Sequence, residues 1–155
     1  MLNQEFLKQT VLFRDLTEDE LLEILLIGHV KKVEPDAILF KEGDPGDKLY
    51  LIIEGSVRIS KMHNGAEEAL AVLEEKSFFG EMSLFDTSQT RSAYAIANGD
   101  CSVFAISVRD LTGLFERNKS IGYKFLWAFC MTLTHRLRTT NEKFQVIMSL
   151  ANSGF

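Results

Sequence analysis

The chain has 155 residues, 17 Lys plus Arg against 22 Asp plus Glu, and a net charge of −5. That length fits one domain, and the acidic balance argues against nucleic-acid binding, which needs clustered cations to neutralise phosphate. Hydrophobic residues at 46% and charged residues at 25% exclude disorder for most of the chain.

The N-terminus MLNQEFLKQT has no basic stretch followed by an apolar one, so no signal peptide is expected. The strongest apolar run, Ile24 to Ile27, is far short of the roughly 20 residues of a membrane span. Two cysteines, Cys101 and Cys130, make neither a disulfide framework nor a thiolate metal site. They read as inert buried thiols in a reduced, cytoplasmic compartment.

The N-terminal region reads as helical over residues 1–28. Thr17-Glu18-Asp19-Glu20 has the form of a capping box. Leu21, Leu22, Leu25 and Leu26 are expected on one face, and Gly28 ends the helix. From about 29 to 107 come short β-branched and aromatic segments: Ile38 to Phe40, Leu49 to Ile53, Val57 to Ile59, Ala69 to Leu73, Ala93 to Ala97 and Cys101 to Ile106. Turn signals at Glu42 to Asp47, Glu54-Gly55-Ser56, His63 to Ala66 and Asn98-Gly99-Asp100 separate them. Strands at this spacing predict a mainly β fold, a jelly-roll barrel (a double-stranded β-helix) with flanking helices.

The C-terminal region, 108–151, reads as helical again. A short helix over Val108 to Arg117 precedes a long one over Ser120 to Ala151, capped by Ser120 and stopped at Asn152-Ser153-Gly154. At 1.5 Å per residue the long helix is about 45 Å and outruns the barrel. Leu126, Cys130, Leu133, Leu137, Thr140, Phe144, Ile147 and Ala151 are spaced 4, 3, 4, 3, 4, 3, 4, a heptad seam that predicts a homodimer. The alternative is that this face covers the chain's own barrel.

One stretch, 78–93, breaks the strand rhythm. Gly80 opens a short helical turn at Glu81, and a helix start offers free N–H groups and a positive dipole end. Arg91 and Ser92 follow ten and eleven residues after Glu81. Arg91 can meet a phosphate with a two-pronged fork, Ser92 adds a hydroxyl, and Glu81 is an acceptor suited to a sugar hydroxyl. No Ser–His–Asp or Cys–His set has local support. His29, His63 and His135 lack ligand spacing, so neither an enzyme nor a metal or other cofactor site is expected.

The stretch FGEMSLFDTSQTRSA resembles the phosphate-binding cassette of the cyclic-nucleotide-binding domain family, in its bacterial catabolite-activator branch. EGDPGDKLY at 42–50 and IEGSV at 53–57 are similar to that family's glycine-marked turns, and HRLRTTNEK at 135–143 is similar to part of its long helix. The resemblance implies a jelly roll over nearly the whole chain. It implies that Arg91 and Ser92, with the backbone N–H groups of Ser83 and Leu84, hold a cyclic phosphate. Glu81 and the Gly80 backbone would hold the ribose 2′-hydroxyl, Ile59 and Leu70 the side of the base, and Thr140 and Asn141 the amino edge of adenine.

The linker before Thr140 is about four residues longer than in that branch, and the branch's DNA-reading domain would begin where this sequence stops, at Phe155. The expectation is one cyclic-nucleotide-binding domain over 1–155 that takes cAMP, does not bind DNA by itself, and acts on an effector protein by movement of its C-terminal helix. The alternatives are cGMP as ligand, a subunit clamped to an enzyme or transporter, and a dimerisation or adaptor module with a vestigial pocket.

Overall fold

The computed structural model describes residues 1–85 and 90–152, with the backbone only at Ser83. Two short helices lead: α1 (Gln4–Lys8) and α2 (Glu18–Leu26). Eight strands follow: β1 (Gly28–Val33), β2 (Ile38–Phe40), β3 (Lys48–Glu54), β4 (Val57–His63), β5 (Ala66–Leu73), β6 (Phe78–Phe79), β7 (Tyr94–Ala97) and β8 (Cys101–Ser107). Between β6 and β7 lies a 3-10 turn, Glu81–Leu84, and the chain closes with α3 (Val108–Arg117) and α4 (Lys119–Asn152).

The strands form two four-stranded antiparallel sheets, β1-β8-β3-β6 and β2-β7-β4-β5, rather than one closed barrel. This is the expected jelly roll. The first sheet is the middle of three layers. Leu49, Leu51, Ile53, Phe104 and Ile106 point to the helices, where they pack on Leu21, Ile24, Leu111, Phe125 and Phe129. Their neighbours Tyr50, Ile52, Val103 and Ala105 point the other way, into the space between the sheets. Successive strand side chains alternate faces. A strand buried on both faces therefore reads as an unbroken apolar run, which is why LYLII and CSVFAI lack the polar alternation of β4. At β4–β5 the Asn64-Gly65 pair, φ 51° and 80°, makes the tight hairpin expected of that dipeptide.

Several local expectations change. In α2 the inward residues are Glu20, Leu21 and Ile24, while Leu22 and Leu26 face out. Gly28 does not stop the helix. It opens β1, at a place where a Cβ would collide with the Phe104 ring. Asn118, not Ser120, caps α4, its Oδ1 accepting the Ile121 N–H at 3.4 Å. Cys101 is buried, with its thiol pushed up by burial, but Cys130 is exposed. The Ser153-Gly154 stop lies outside the described residues. No helix among them is long and apolar enough to cross a membrane.

Ser120 has another task. Its hydroxyl donates to Glu20 at 2.6 Å, Lys124 donates to the same carboxylate at 2.7 Å, and the Thr17 N–H donates at 2.8 Å to close the capping box. Burial pushes the Glu20 carboxyl up, but these donors outweigh it and hold its pKa at about 2, below the usual 4.5. The clip joins α2 to α4. A depressed carboxyl stabilises the fold above its ordinary value and loses that contribution as pH falls towards its folded value. Between pH 5 and pH 2 the native chain should lose about 2–3 kcal/mol more stability than Glu20→Gln. Parallel declines in urea titrations of the two proteins would show that the clip does not bind its proton as described.

Candidate functional site

Arg91 lies just before β7 with 4% of its surface exposed. A guanidinium so buried needs partners. Nη1 donates to the Gly80 carbonyl at 3.1 Å and Nη2 to the Lys48 carbonyl at 2.9 Å. The Phe40 ring lies 4.2 Å from its central carbon, the Tyr50 ring 5.8 Å, and the Asp47 carboxylate stands 4.0 Å from Nη2. Burial pulls the guanidinium pKa down, and the nearby Tyr50, Asp47, Asp44 and Glu81 pull it back. The Arg91 backbone is pinned as well. Its N–H donates to Asp44 at 2.8 Å and its carbonyl accepts the Gly43 N–H at 2.9 Å. The glycine-marked turn at 42–47 is thus the clamp that fixes Arg91.

Gly80 has φ 78°, and a Cβ there would stand 2.7 Å from Arg91 Nη1. Only glycine gives both the left-handed backbone and the room. Next to it, β6 splits its two side chains. Phe79 stacks on Tyr50 between the sheets at 5.1 Å, and Phe78 faces α4, with its ring 6.1 Å from Phe129.

A cavity of about 520 Å³ opens beside these residues. Gly80, Glu81, Met82, Arg91 and Ser92 line one side, Ile59 and Leu70 another, and α4 closes it with His135, Arg136, Thr139, Thr140 and Lys143. Of the ten residues singled out from sequence, seven meet here. Ser83 and Leu84 belong to the adjoining turn; only the backbone of Ser83 is described, and Leu84 lies outside the lining and packs towards the helix-side core. Asn141 is also outside the lining, about 100° round the helix from Thr140. The 86–89 part of the cassette lies outside the described residues.

Sequence reading missed Arg136. Its Nη1 donates to Glu81 Oε1 at 2.8 Å, Nη2 to the Phe78 carbonyl at 3.4 Å, and its guanidinium stands 4.5 Å over the Phe78 ring. The carboxylate expected to receive a sugar hydroxyl is already paired to the long helix. The signal was present one helical turn before Thr140, but nothing local tied it to Glu81. Ser92 donates to the Met82 sulfur at 3.4 Å.

Residues 30–118, more than half the chain, match the family model for the cyclic nucleotide-binding domain. The chain belongs to the cyclic nucleotide-binding domain family. It is 32% identical over 134 residues to the cAMP-activated global transcriptional regulator CRP of Salmonella typhimurium, covering 86% of this chain and 62% of that protein. The crystal structure of the Thermus thermophilus catabolite activator protein matches with a TM-score of 0.75 at 30% identity, over 90% of this chain and 63% of that one. A cyclic nucleotide-binding domain from Methylobacillus flagellatus matches with a TM-score of 0.78 at 28% identity, over 90% and 79%. The chain therefore spans somewhat under two thirds of the curated relative's length.

The cassette glycine of this domain can be tested against another. Gly43 also has positive φ, 85°, but a Cβ there meets nothing within 4 Å. Both Gly→Ala changes carry the backbone cost of about 1 kcal/mol or more. Gly80→Ala adds the collision with Arg91 and should be the more destabilising by about 1–2 kcal/mol. Equal losses in chemical denaturation would mean that Arg91 does not press on Gly80.

Proposed function

We propose that this chain is a cyclic-nucleotide receptor domain whose ligand is cAMP and whose output is the position of α4. The observation that carries it is the meeting of a buried, clamped Arg91 with Ser92, Glu81 and the wall of α4 around one cavity. A cyclic phosphodiester carries one negative charge, and burying it unpaired would be very costly. Arg91 and Ser92 pair it, with the N–H groups of the Glu81–Leu84 turn alongside. Ile59 and Leu70 flank the base, and Thr140 stands above it. The reading is a receptor, not an enzyme, comprising one domain over 1–155 in the reducing cytoplasm.

The link to output is the Glu81–Arg136 pair. A ribose hydroxyl donating to Glu81 enters the place of, or beside, the Arg136 guanidinium, so ligand and helix share one carboxylate. Ligand binding then changes the relative stability of α4 positions. The α4 seam supports a homodimer. Leu126, Leu133, Leu137, Phe144 and Ile147 are 39% to 62% exposed, while the face on the chain's own core is Ile121, Phe125, Ala128 and Phe129. The seam therefore is not the barrel-covering face, and Leu126 to Ile147 runs about 32 Å along the helix. Asn141 faces away from its own cavity, towards the side a paired helix would occupy. Effector and pathway follow from what that helix pair touches.

Thermal unfolding of the full chain with cAMP, cGMP and 5′-AMP tests this. At 100 times its Kd a ligand adds about 2.7 kcal/mol, a rise in Tm of roughly 5–10 °C. The expected order is cAMP above cGMP, with 5′-AMP inert. Arg91→Ala should abolish the rise, since losing one partner of a buried charge pair costs about 3–5 kcal/mol; Glu81→Ala should reduce it. No shift with any of the three would reject the receptor and favour a dimerisation module.

A further inference from the structure

The chain as a whole is acidic, at −5, yet its cavity is not. Among the described residues the lining holds three permanent cations, Arg91, Arg136 and Lys143, against one carboxylate, Glu81. Two positive charges remain in excess, and walls of low dielectric concentrate such a field. Glu81 accounts for Arg136 at 2.8 Å. A cyclic phosphate, with one charge, accounts for Arg91. No described residue accounts for Lys143. Among the described residues it has no hydrogen bond or ion pair, and neither does His135.

These two share a ridge of α4 with Thr139. Positions 135, 139 and 143 are four apart, so they stand above one another in steps of about 6 Å, and all three line the cavity. They face it from the helix, whereas Arg91, Gly80 and Ser92 face it from the jelly roll. The cavity thus has two poles that favour anions, one on each wall.

We propose that His135, Thr139 and Lys143 form a second anion subsite, which admits nucleotides carrying a second phosphate. The proposal rests on the receptor reading for the first phosphate, at Arg91. Lys143 supplies a mobile point charge, which suits phosphate without demanding a fixed fork. Thr139 supplies a hydroxyl, and the His135 imidazole supplies an N–H donor in either protonation state. The second phosphate removes the excess positive charge that a cyclic mononucleotide leaves behind. The shared chemistry is two phosphates on one small ligand, either in a cyclic dinucleotide ring or as two groups on one nucleoside.

Calorimetric titration of the full chain with cAMP, cyclic di-GMP and adenosine 3′,5′-bisphosphate separates the cases. At least one two-phosphate probe should bind the native protein. Lys143→Gln should weaken that probe about tenfold, the worth of one charge-assisted hydrogen bond, and by at least fivefold more than it weakens cAMP. Lys143→Arg should restore most of the loss. Lys143 is exposed on a helix, and an unchanged Tm without ligand shows that the variants fold. Binding of cyclic di-GMP alone assigns the second phosphate to a ring, and of the bisphosphate alone to one nucleoside. Binding of cAMP with neither probe, or equal losses for all ligands in Lys143→Gln, overturns the subsite and leaves the receptor standing. If cAMP also fails to bind, both fall.

Discussion

A guanidinium is held in the core of this protein, and much of the site follows from satisfying it. Arg91 uses donors on the carbonyls of Lys48 and Gly80 and sets its central carbon over the Phe40 ring. Each partner is then constrained. The residue at 80 has to be glycine, because a side chain would meet the guanidinium. The turn at 42–47 has to close on residue 91, and it does so through paired backbone bonds with Gly43 and Asp44. Tyr50 and Phe79 stack beside it to complete the apolar floor. The cost of a buried cation is met by the fold, and the reward is a pre-oriented cation at a cavity. A group fixed in advance loses little entropy when an anion arrives.

The second constraint is that α4 belongs to two structures. Its first turns are core: Ile121, Phe125 and Phe129 lie among the helices and the first sheet. Past Cys130 it leaves the core, and residues 141–152 are exposed throughout. Between these parts it forms the lid of the cavity, tied down by Arg136 to Glu81 and to the Phe78 ring. The tie is a partly exposed ion pair, which is of modest strength in water. It is therefore of the size that a competing hydroxyl can disturb. A buried base, a polar latch and an exposed apolar stripe, in that order along one helix, are what the proposed receptor needs to report occupancy of its cavity.

Much of this was legible in the sequence because local rules carry it. The capping box at Thr17, the Asn64-Gly65 hairpin, the span of α3 and the cassette all depend on residues close together in the chain. The family resemblance then implied the jelly roll. What was not legible depended on distant partners. Nothing near Ser120 reveals that Glu20 lies beside it, so a clip residue read as a cap. Leu22 and Leu26 obey the helical period but lie on the exposed side of α2. The two-residue β6 is too short to show a period. Cys130 looked buried from its neighbours, yet it lies on the seam, not on the core face. Arg136 was invisible for the same reason: its partner is 55 residues away. The resemblance places Asn141 together with Thr140, but a helix turns adjacent residues about 100° apart.

In the proposed receptor Arg91 binds the phosphate through its fixed planar shape and not merely through its charge. Equilibrium dialysis of radiolabelled cAMP against the native chain and Arg91→Lys tests it directly. Lysine keeps the positive charge but cannot hold the Gly80 and Lys48 carbonyls and a phosphate in one plane. The expected result is saturation at one cAMP per chain for the native protein and an affinity at least about tenfold weaker for Arg91→Lys. Equal affinity in the two proteins would rule out a role for the planar fork, because charge alone would then suffice.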